Sequence, residues 1–331
     1  MEFANVIGGS GFIGTRLCQR LNNNEKINFI IVDKAPSLTF PDKVKIADVR
    51  SLEVLRNTIE PNSILINLAA EHRDDVKPLS LYEEVNVQGA KNLCIVAREK
   101  NIKHIVFTSS VAVYGFAPLG TDETGSISPF NEYGRTKFEA EKVFRAWQTE
   151  DPLDRTLVII RPTVVFGEQN RGNVYNLLRQ IASGRFLMVG NGENKKSLAY
   201  VENVAALLEF AVSFQTGVHV YNYIDKPDFT MNQLVGTVRR ILGRPKRVAF
   251  RLPYIVGLVI GKVFDFLALV AGKRFAISSI RVKKFCSNSM FNTTVTQTGF
   301  TAPVPLVEAL EHTVRHEFVE SHSDETVFYS E

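Results

Sequence analysis

Apolar residues in the first half of the chain fall into short unbroken runs, separated by segments in which they recur every three or four positions. The runs at 3–7, 29–32, 44–47, 64–68, 105–108 and 157–160 have strand length and turn residues at their ends. A run that is apolar at consecutive positions predicts a strand covered on both faces. Helical spacing occupies 12–21, 52–59, 82–100 and 133–148 between them. Regular alternation of strand and helix predicts a doubly wound α/β domain built on a parallel sheet.

Past Pro162 the alternation lapses. Helical spacing returns at 174–183, 201–212, 231–242 and 306–319, and a strand-like run at 218–224 is expected to rejoin the sheet. The division read from this is a first domain over 1–165 and a smaller, mixed substrate domain over 166–331, whose acidic end after Glu320 is expected to fray. One stretch stands apart: 252–271 reads LPYIVGLVIGKVFDFLALVA, close to the length of a bilayer span but interrupted by Lys262 and Asp265.

Charge sharpens that contrast. The chain is +4 overall, yet the stretch from Arg239 to Lys284 carries twelve basic residues against one acid, Asp265, so the remainder is net acidic. Arg244, Lys246, Arg247 and Arg251 precede the apolar core of this segment, and Lys273, Arg274, Arg281, Lys283 and Lys284 follow it. Apolarity with positive charge suits the inner face of an anionic cytoplasmic membrane. A buried helix or a homodimer interface is the alternative, and Gly257 and Gly261 have the spacing of close helix packing. No nucleic-acid motif accompanies the basic residues. Three scattered cysteines, Cys18, Cys94 and Cys286, suggest neither a disulfide framework nor a metal site, and no secretory signal precedes the first strand. Residence in the cytoplasm is expected.

Chemistry enters at the first turn. Gly8, Gly11 and Gly14 lie between the first strand and the first helix, where glycine permits a tight turn, close approach of a pyrophosphate and helix–strand packing. Asp33 ends the second strand, 19 residues past Gly14, placed to accept hydrogen bonds from ribose hydroxyls. It also repels a 2′-phosphate, which favours NAD over NADP, with Lys34 tempering the preference. Tyr133 and Lys137 stand one helical turn apart on one face. A phenol titrates at about 10, and a neighbouring ammonium favours its ionised form. Thr108-Ser109-Ser110 ends a preceding strand, where doubly wound sheets place ligands. Ser110 there could share a proton with Tyr133 and a substrate hydroxyl, completing a hydride-transfer site.

These residues, with Asn67-Leu68-Ala69-Ala70, Val113-Tyr114-Gly115 and Arg161-Pro162, resemble the extended short-chain dehydrogenase/reductase family, the NAD-dependent epimerases and dehydratases of Rossmann fold. The strings AAEHRDDV (69–76), RGNVYNLL (171–178), VYNY (220–223) and RVKKFC (281–286) are similar to those of sugar 4-epimerases that act on a lipid-linked diphospho-sugar. The resemblance implies that Tyr133 takes the proton of a sugar 4-hydroxyl oriented by Ser110, that NAD accepts the hydride, and that Lys137 holds the nicotinamide ribose. It further implies cofactor contacts from Phe12, Ile13, Asp48, Val49, Leu68, Ala69, Ala70 and Pro162. Asn173 and Lys196 would meet the substrate diphosphate, and His72 and Arg73 the sugar or diphosphate. Dehydratases of the family carry an Asp-Glu pair where this chain has Val111-Ala112, which cannot support elimination. A UDP-sugar 4-epimerase is the alternative enzyme. A non-catalytic NAD-binding sensor would need the glycines but not Ser110, Tyr133 and Lys137 together.

Overall fold

The computed structural model describes residues 2–24, 26–73, 76–245, 251–271, 278–322 and 325–329. In the first half it runs β1 (Glu2–Ile7), α1 (Phe12–Asn24), β2 (Ile27–Asp33), β3 (Val44–Ile46), α2 (Leu52–Thr58), β4 (Ile64–Asn67), α3 (Ser80–Tyr82), α4 (Gly89–Glu99), β5 (His104–Thr108), α5 (Glu132–Thr149) and β6 (Thr156–Pro162). In the second half follow β7 (Val164–Phe166), α6 (Asn173–Ala182), β8 (Met188–Val189), β9 (Lys195–Tyr200), α7 (Val201–Phe210), β10 (Gly217–Tyr223), β11 (Asp225–Thr230), α8 (Met231–Ile241), β12 (Arg251–Leu252), α9 (Tyr254–Ala271), α10 (Ser279–Cys286) and α11 (Leu306–Phe318).

Seven strands form one parallel sheet in the order β10-β6-β5-β4-β1-β2-β3. Successive residues of a strand point to opposite faces, so Val6 joins a core with Leu17 of α1 and Leu207 of α7, while Ile7 joins another with Leu93 of α4 and Phe144 of α5. That two-sided burial is why the strands read as unbroken apolar runs. α7 and β10 lie past residue 165 yet complete this sheet and its cover, so the chain passes between the two lobes more than once.

The helix expected over 82–100 contains a π-helical segment, Glu83–Gln88, between α3 and α4. The wider turn carries Asn86 inward: its amide bonds the carbonyl of Glu71 (3.0 Å) and Thr136 Oγ1 (2.9 Å), joining the loop after β4 to α5.

The second lobe has its own core of Phe166, Leu178, Phe229, Leu234 and Leu310. It also holds two small sheets, β11-β9-β7 and β12-β8, in a region that reads mostly as loop. Those strands are short, and β11 contains Pro227, which leaves little periodicity to read. The end of the chain departs from expectation. At 325–329 it is tied down: Phe328 N donates to the Gln169 carbonyl and Arg171 N to the Phe328 carbonyl, both at 2.8 Å.

Candidate active site

The sheet reverses strand order between β1 and β4, and the crevice outside the strand ends at such a point is where ligands bind. Here it opens into a cleft of about 830 Å³. Each loop glycine has a distinct task. Gly8 turns at φ +78°, and a Cβ there would lie 2.7 Å from the Ala69 nitrogen; one on Gly14 would meet Gly9 Cα at 2.5 Å. Gly11 meets only the Gly8 carbonyl, at 3.4 Å, so its open side faces the cleft and admits a pyrophosphate.

Phe12, Ile13, Leu68, Ala69, Ala70 and Pro162 line the same space. At its far end Asp33 accepts from the amides of Ser10 and Ala35, each at 3.0 Å, which fixes the carboxylate at the strand terminus. Asp48 and Val49 also line the cleft. The Arg50 side chain bonds the Asp48 carboxyl and holds it below its ordinary range, and Asn92 bonds the Val49 carbonyl (2.9 Å). These features fit a dinucleotide.

The reactive end is built from β5 and α5. Asn131 caps α5, accepting from Gly134 N (2.9 Å). Gly134 has no side chain to hold the helix off the turn after β5, where a Cβ would strike the Ala112 carbonyl. That close approach lets the Tyr133 hydroxyl and Ser110 share a hydrogen bond. Ser110 Oγ also accepts from Ala112 N (3.1 Å). Hydrogen bonding separates the two serines, both of which line the cleft: Ser110 meets Tyr133, whereas buried Ser109 donates to Glu141 Oε1 at 2.6 Å.

Lys137 is 2% exposed, with Nζ 4.4 Å from the centre of the Phe107 ring. Burial pushes its pKa down to about 7, against an opposing pull from Glu141. Burial also pushes the Tyr133 phenol above its ordinary range, with the Ser110 bond working against the rise.

Of the residues expected to meet substrate, His72, Arg73 and Asn173 line the cleft with Ser110. Desolvation of the imidazole holds His72 below its usual pKa. Arg73 pairs with Glu71 (3.2 Å), and Asn173 opens α6. Lys196 lies on β9 behind the lining; its bridge partner Ser289 lines the cleft instead. Burial brings the Lys196 ammonium down to about 8. Val111 and Ala112 line the cleft with apolar atoms where elimination would need an acid and a base.

Sequence reading missed the support behind these groups. Glu141 is wholly buried and takes Arg161 through Nε (2.8 Å) and Nη2 (2.5 Å); Arg161 Nη1 donates to the Tyr114 oxygen (2.7 Å), whose hydroxyl donates to Asn222 Oδ1 (2.8 Å). The signal was present: Glu141 follows Lys137 by one helical turn, and a carboxylate there faces inward with it. Phe328 and Tyr329 of the tail also line the cleft, and no local pattern announces them.

A family model described as the NAD dependent epimerase/dehydratase family matches residues 4–223. The N-acetyl-alpha-D-glucosaminyl-diphospho-ditrans,octacis-undecaprenol 4-epimerase of Escherichia coli O157:H7 is 46% identical over 328 residues, 98% of each chain. A UDP-glucose 4-epimerase of Vibrio cholerae is 28% identical over 258 residues, covering 72% of this chain and 76% of its own. Among solved structures, the UDP-N-acetylglucosamine 4-epimerase of Bacillus cereus superposes with a TM-score of 0.73 at 18% identity, over 95% of this chain and 98% of that one. With its cleft at the sheet reversal and NAD as its cofactor, the chain belongs to the NAD dependent epimerase/dehydratase family.

Proposed function

We propose that this enzyme inverts C4 of N-acetylglucosamine carried on undecaprenyl diphosphate, yielding N-acetylgalactosamine for surface polysaccharide such as O-antigen. The observation that carries the reading is 46% identity, spanning 98% of both chains, to the Escherichia coli enzyme named for a diphospho-undecaprenol substrate.

NAD, held by the Gly8–Gly14 loop, Asp33 and Lys137, supplies a hydride acceptor and donor at C4. The chain's own residues manage the proton. Ser110 orients the 4-hydroxyl against Tyr133, whose phenolate accepts the proton as C4 becomes a ketone. After the keto sugar presents its other face, the Tyr133 phenol returns the proton to O4. Tyr133 thus ends each turnover as it began. Asn173, at the N-terminus of α6, is placed for the substrate diphosphate, where free backbone amides favour an anion; Lys196 stands nearby behind Ser289.

We infer that α9 rests on the inner face of the cytoplasmic membrane. Ile255, Phe266 and Leu269 are 72%, 64% and 81% exposed on this helix. Gly257 and Gly261 turn the other way, against Val189 and the backbone of Ser279. No helix among the described residues is long and apolar enough to cross a membrane, which suits a helix lying in the surface. Of the flanking cations, Arg244 and Arg251 bond backbone carbonyls of Ala182 and Asn191, while Lys283, like Lys262 within α9, is exposed. Lys246, Arg247, Lys273 and Arg274 lie outside the described residues, and of Arg281 and Lys284 only the backbone is described.

Incubation with GlcNAc-diphospho-undecaprenol and, separately, with UDP-GlcNAc, followed by mild acid release of the sugar, tests the substrate. N-acetylgalactosamine from the lipid alone is expected; its appearance from UDP-GlcNAc alone would transfer the reading to nucleotide-sugar epimerisation. Sedimentation with anionic liposomes tests α9, and sedimentation no better than with neutral liposomes would overturn its placement.

A further inference from the structure

At the end of the last helix and just past it, the chain gathers two imidazoles and three carboxylates that the epimerase chemistry does not use. Glu325 places one oxygen 2.7 Å from His316 Nε2 and the other 3.0 Å from His322 Nδ1. The imidazole rings lie almost parallel, with centres 4.0 Å apart, so both turn a nitrogen toward the same carboxylate. The far nitrogens have carboxylates of their own: His316 Nδ1 is 3.4 Å from Glu317, and His322 Nε2 is 3.2 Å from Glu320. The carboxylate bonded behind His322 is the arrangement that orients a metal-bound histidine and raises its basicity, while Nδ1 of His316 makes no hydrogen bond.

We propose that His316, His322 and Glu325 bind one zinc ion, which fastens the C-terminal tail across the mouth of the cleft. The donor set, two imidazoles and a carboxylate with a fourth position open to solvent, is one that zinc accepts. The three donor atoms lie within 4.8 Å of one another. Zinc bonds of about 2.0–2.2 Å in a tetrahedral arrangement set neighbouring donors roughly 3.3 Å apart, so the two contacts to Glu325 open by some tenths of an ångström and the stacked rings turn out of parallel to converge on one ion. Three carboxylates against two imidazoles also gather an excess of negative charge that a divalent cation offsets. The cluster assembles only in the fold, since the spacing of His316, His322 and Glu325 matches no metal motif in the sequence.

What the ion would fasten follows from the next residues. Glu317 accepts from Gln169 N at 2.6 Å, Glu325 bonds the Gln169 side chain, and Gln169 sits at φ +70°, a conformation a glutamine adopts only when its surroundings impose it. Phe328 pairs with Gln169 and Arg171, its ring centre is 5.8 Å from that of Phe12, and it lines the cleft with Tyr329 and Asn173. Zinc at Glu325 therefore anchors the strap beside both the cofactor loop and the expected diphosphate site.

The test uses untagged, NAD-loaded protein, stripped with a chelator and titrated with Zn²⁺ in competition with a chromophoric chelator. One equivalent should bind per chain, weakened roughly tenfold or more in His322→Ala and Glu325→Gln. Binding should be unchanged in His312→Ala, whose imidazole faces Glu308 elsewhere on the helix. Carboxypeptidase trimming followed by mass spectrometry should show Zn²⁺ slowing loss of Phe328 and Tyr329 several-fold in the parent and not in the variants. Parent protein that binds Zn²⁺ no better than His322→Ala overturns the site, and Zn²⁺ binding without protection of the tail overturns the fastening.

Discussion

Two helices of eighteen residues, α5 and α9, reverse the usual relation between composition and burial. α5 is rich in charged residues and encloses Lys137 and Glu141 against the sheet, whereas α9 holds only two charges and leaves most of its large apolar side chains outside. The difference lies in what each helix has to cover. α5 packs on β5 and β6 of the central sheet, so its inward charges are desolvated and must meet partners: Glu141 finds Arg161 and Ser109, and Lys137 lies against Phe107. α9 packs mainly on α10, with Val189 against Gly257, and its large apolar side chains stay mostly exposed. Charge is enclosed where the sheet covers it, and apolar surface stays outside where no described side chain covers it.

Substitutions that push each helix toward the other's character sharpen the comparison. The largest effect is expected for Tyr133→Phe on α5, which removes the proton acceptor and should lower turnover roughly 100- to 10,000-fold. NAD content, measured after release from the purified protein, should not change; turnover near the parent rate would reject the proton path. Glu141→Gln strands the buried Arg161 charge and should cost about 3–5 kcal/mol in denaturant unfolding. A loss below about 1 kcal/mol would be that of an exposed pair.

Lys137→Met replaces the buried ammonium and should stabilise the cofactor-free protein. The folded pKa of Lys137, about 7, lies below its unfolded value of 10.5, so the folded state favours the neutral amine. The cost of burying it grows as pH falls from 10.5 to 7 and is constant below that. The variant should therefore gain roughly 3–5 kcal/mol at pH 7, dwindling toward pH 10.5. A gain independent of pH would place its origin in packing. The smallest effect on stability belongs to α9: Val263→Ser with Phe266→Ser should stay within about 0.5 kcal/mol of the parent, because both side chains are exposed. The same pair should reduce sedimentation with anionic liposomes, and a marked loss of stability would instead assign the helix to a buried interface.

Much of the first half was legible because its signals are local. A strand covered on both faces must be apolar throughout, and glycines at 8, 11 and 14 meet requirements within one turn of the backbone. Tyr133 and Lys137 could be paired from helical spacing alone, and their shared surroundings came from a strand end and a helix start adjacent in sequence. The second half was less legible. β8 and β12 are two residues each, too short to show a period, and exist because tertiary packing aligns them. Lys196 was read toward the diphosphate from likeness of pattern, while the sheet turns its neighbour Ser289 to the cleft.

The sequence by itself determined the doubly wound sheet, the glycine loop and the pairing of Tyr133 with Lys137 on one helix face, since each depends on residues close along the chain or on a period that burial enforces. Only the tertiary structure decided which serine meets Tyr133, how far burial depresses Lys137, which faces of the 254–271 helix stay bare, and that the last residues return to the cleft. Each of those depends on desolvation and contact between segments far apart in sequence, and no local pattern encodes what a side chain will find on its other side.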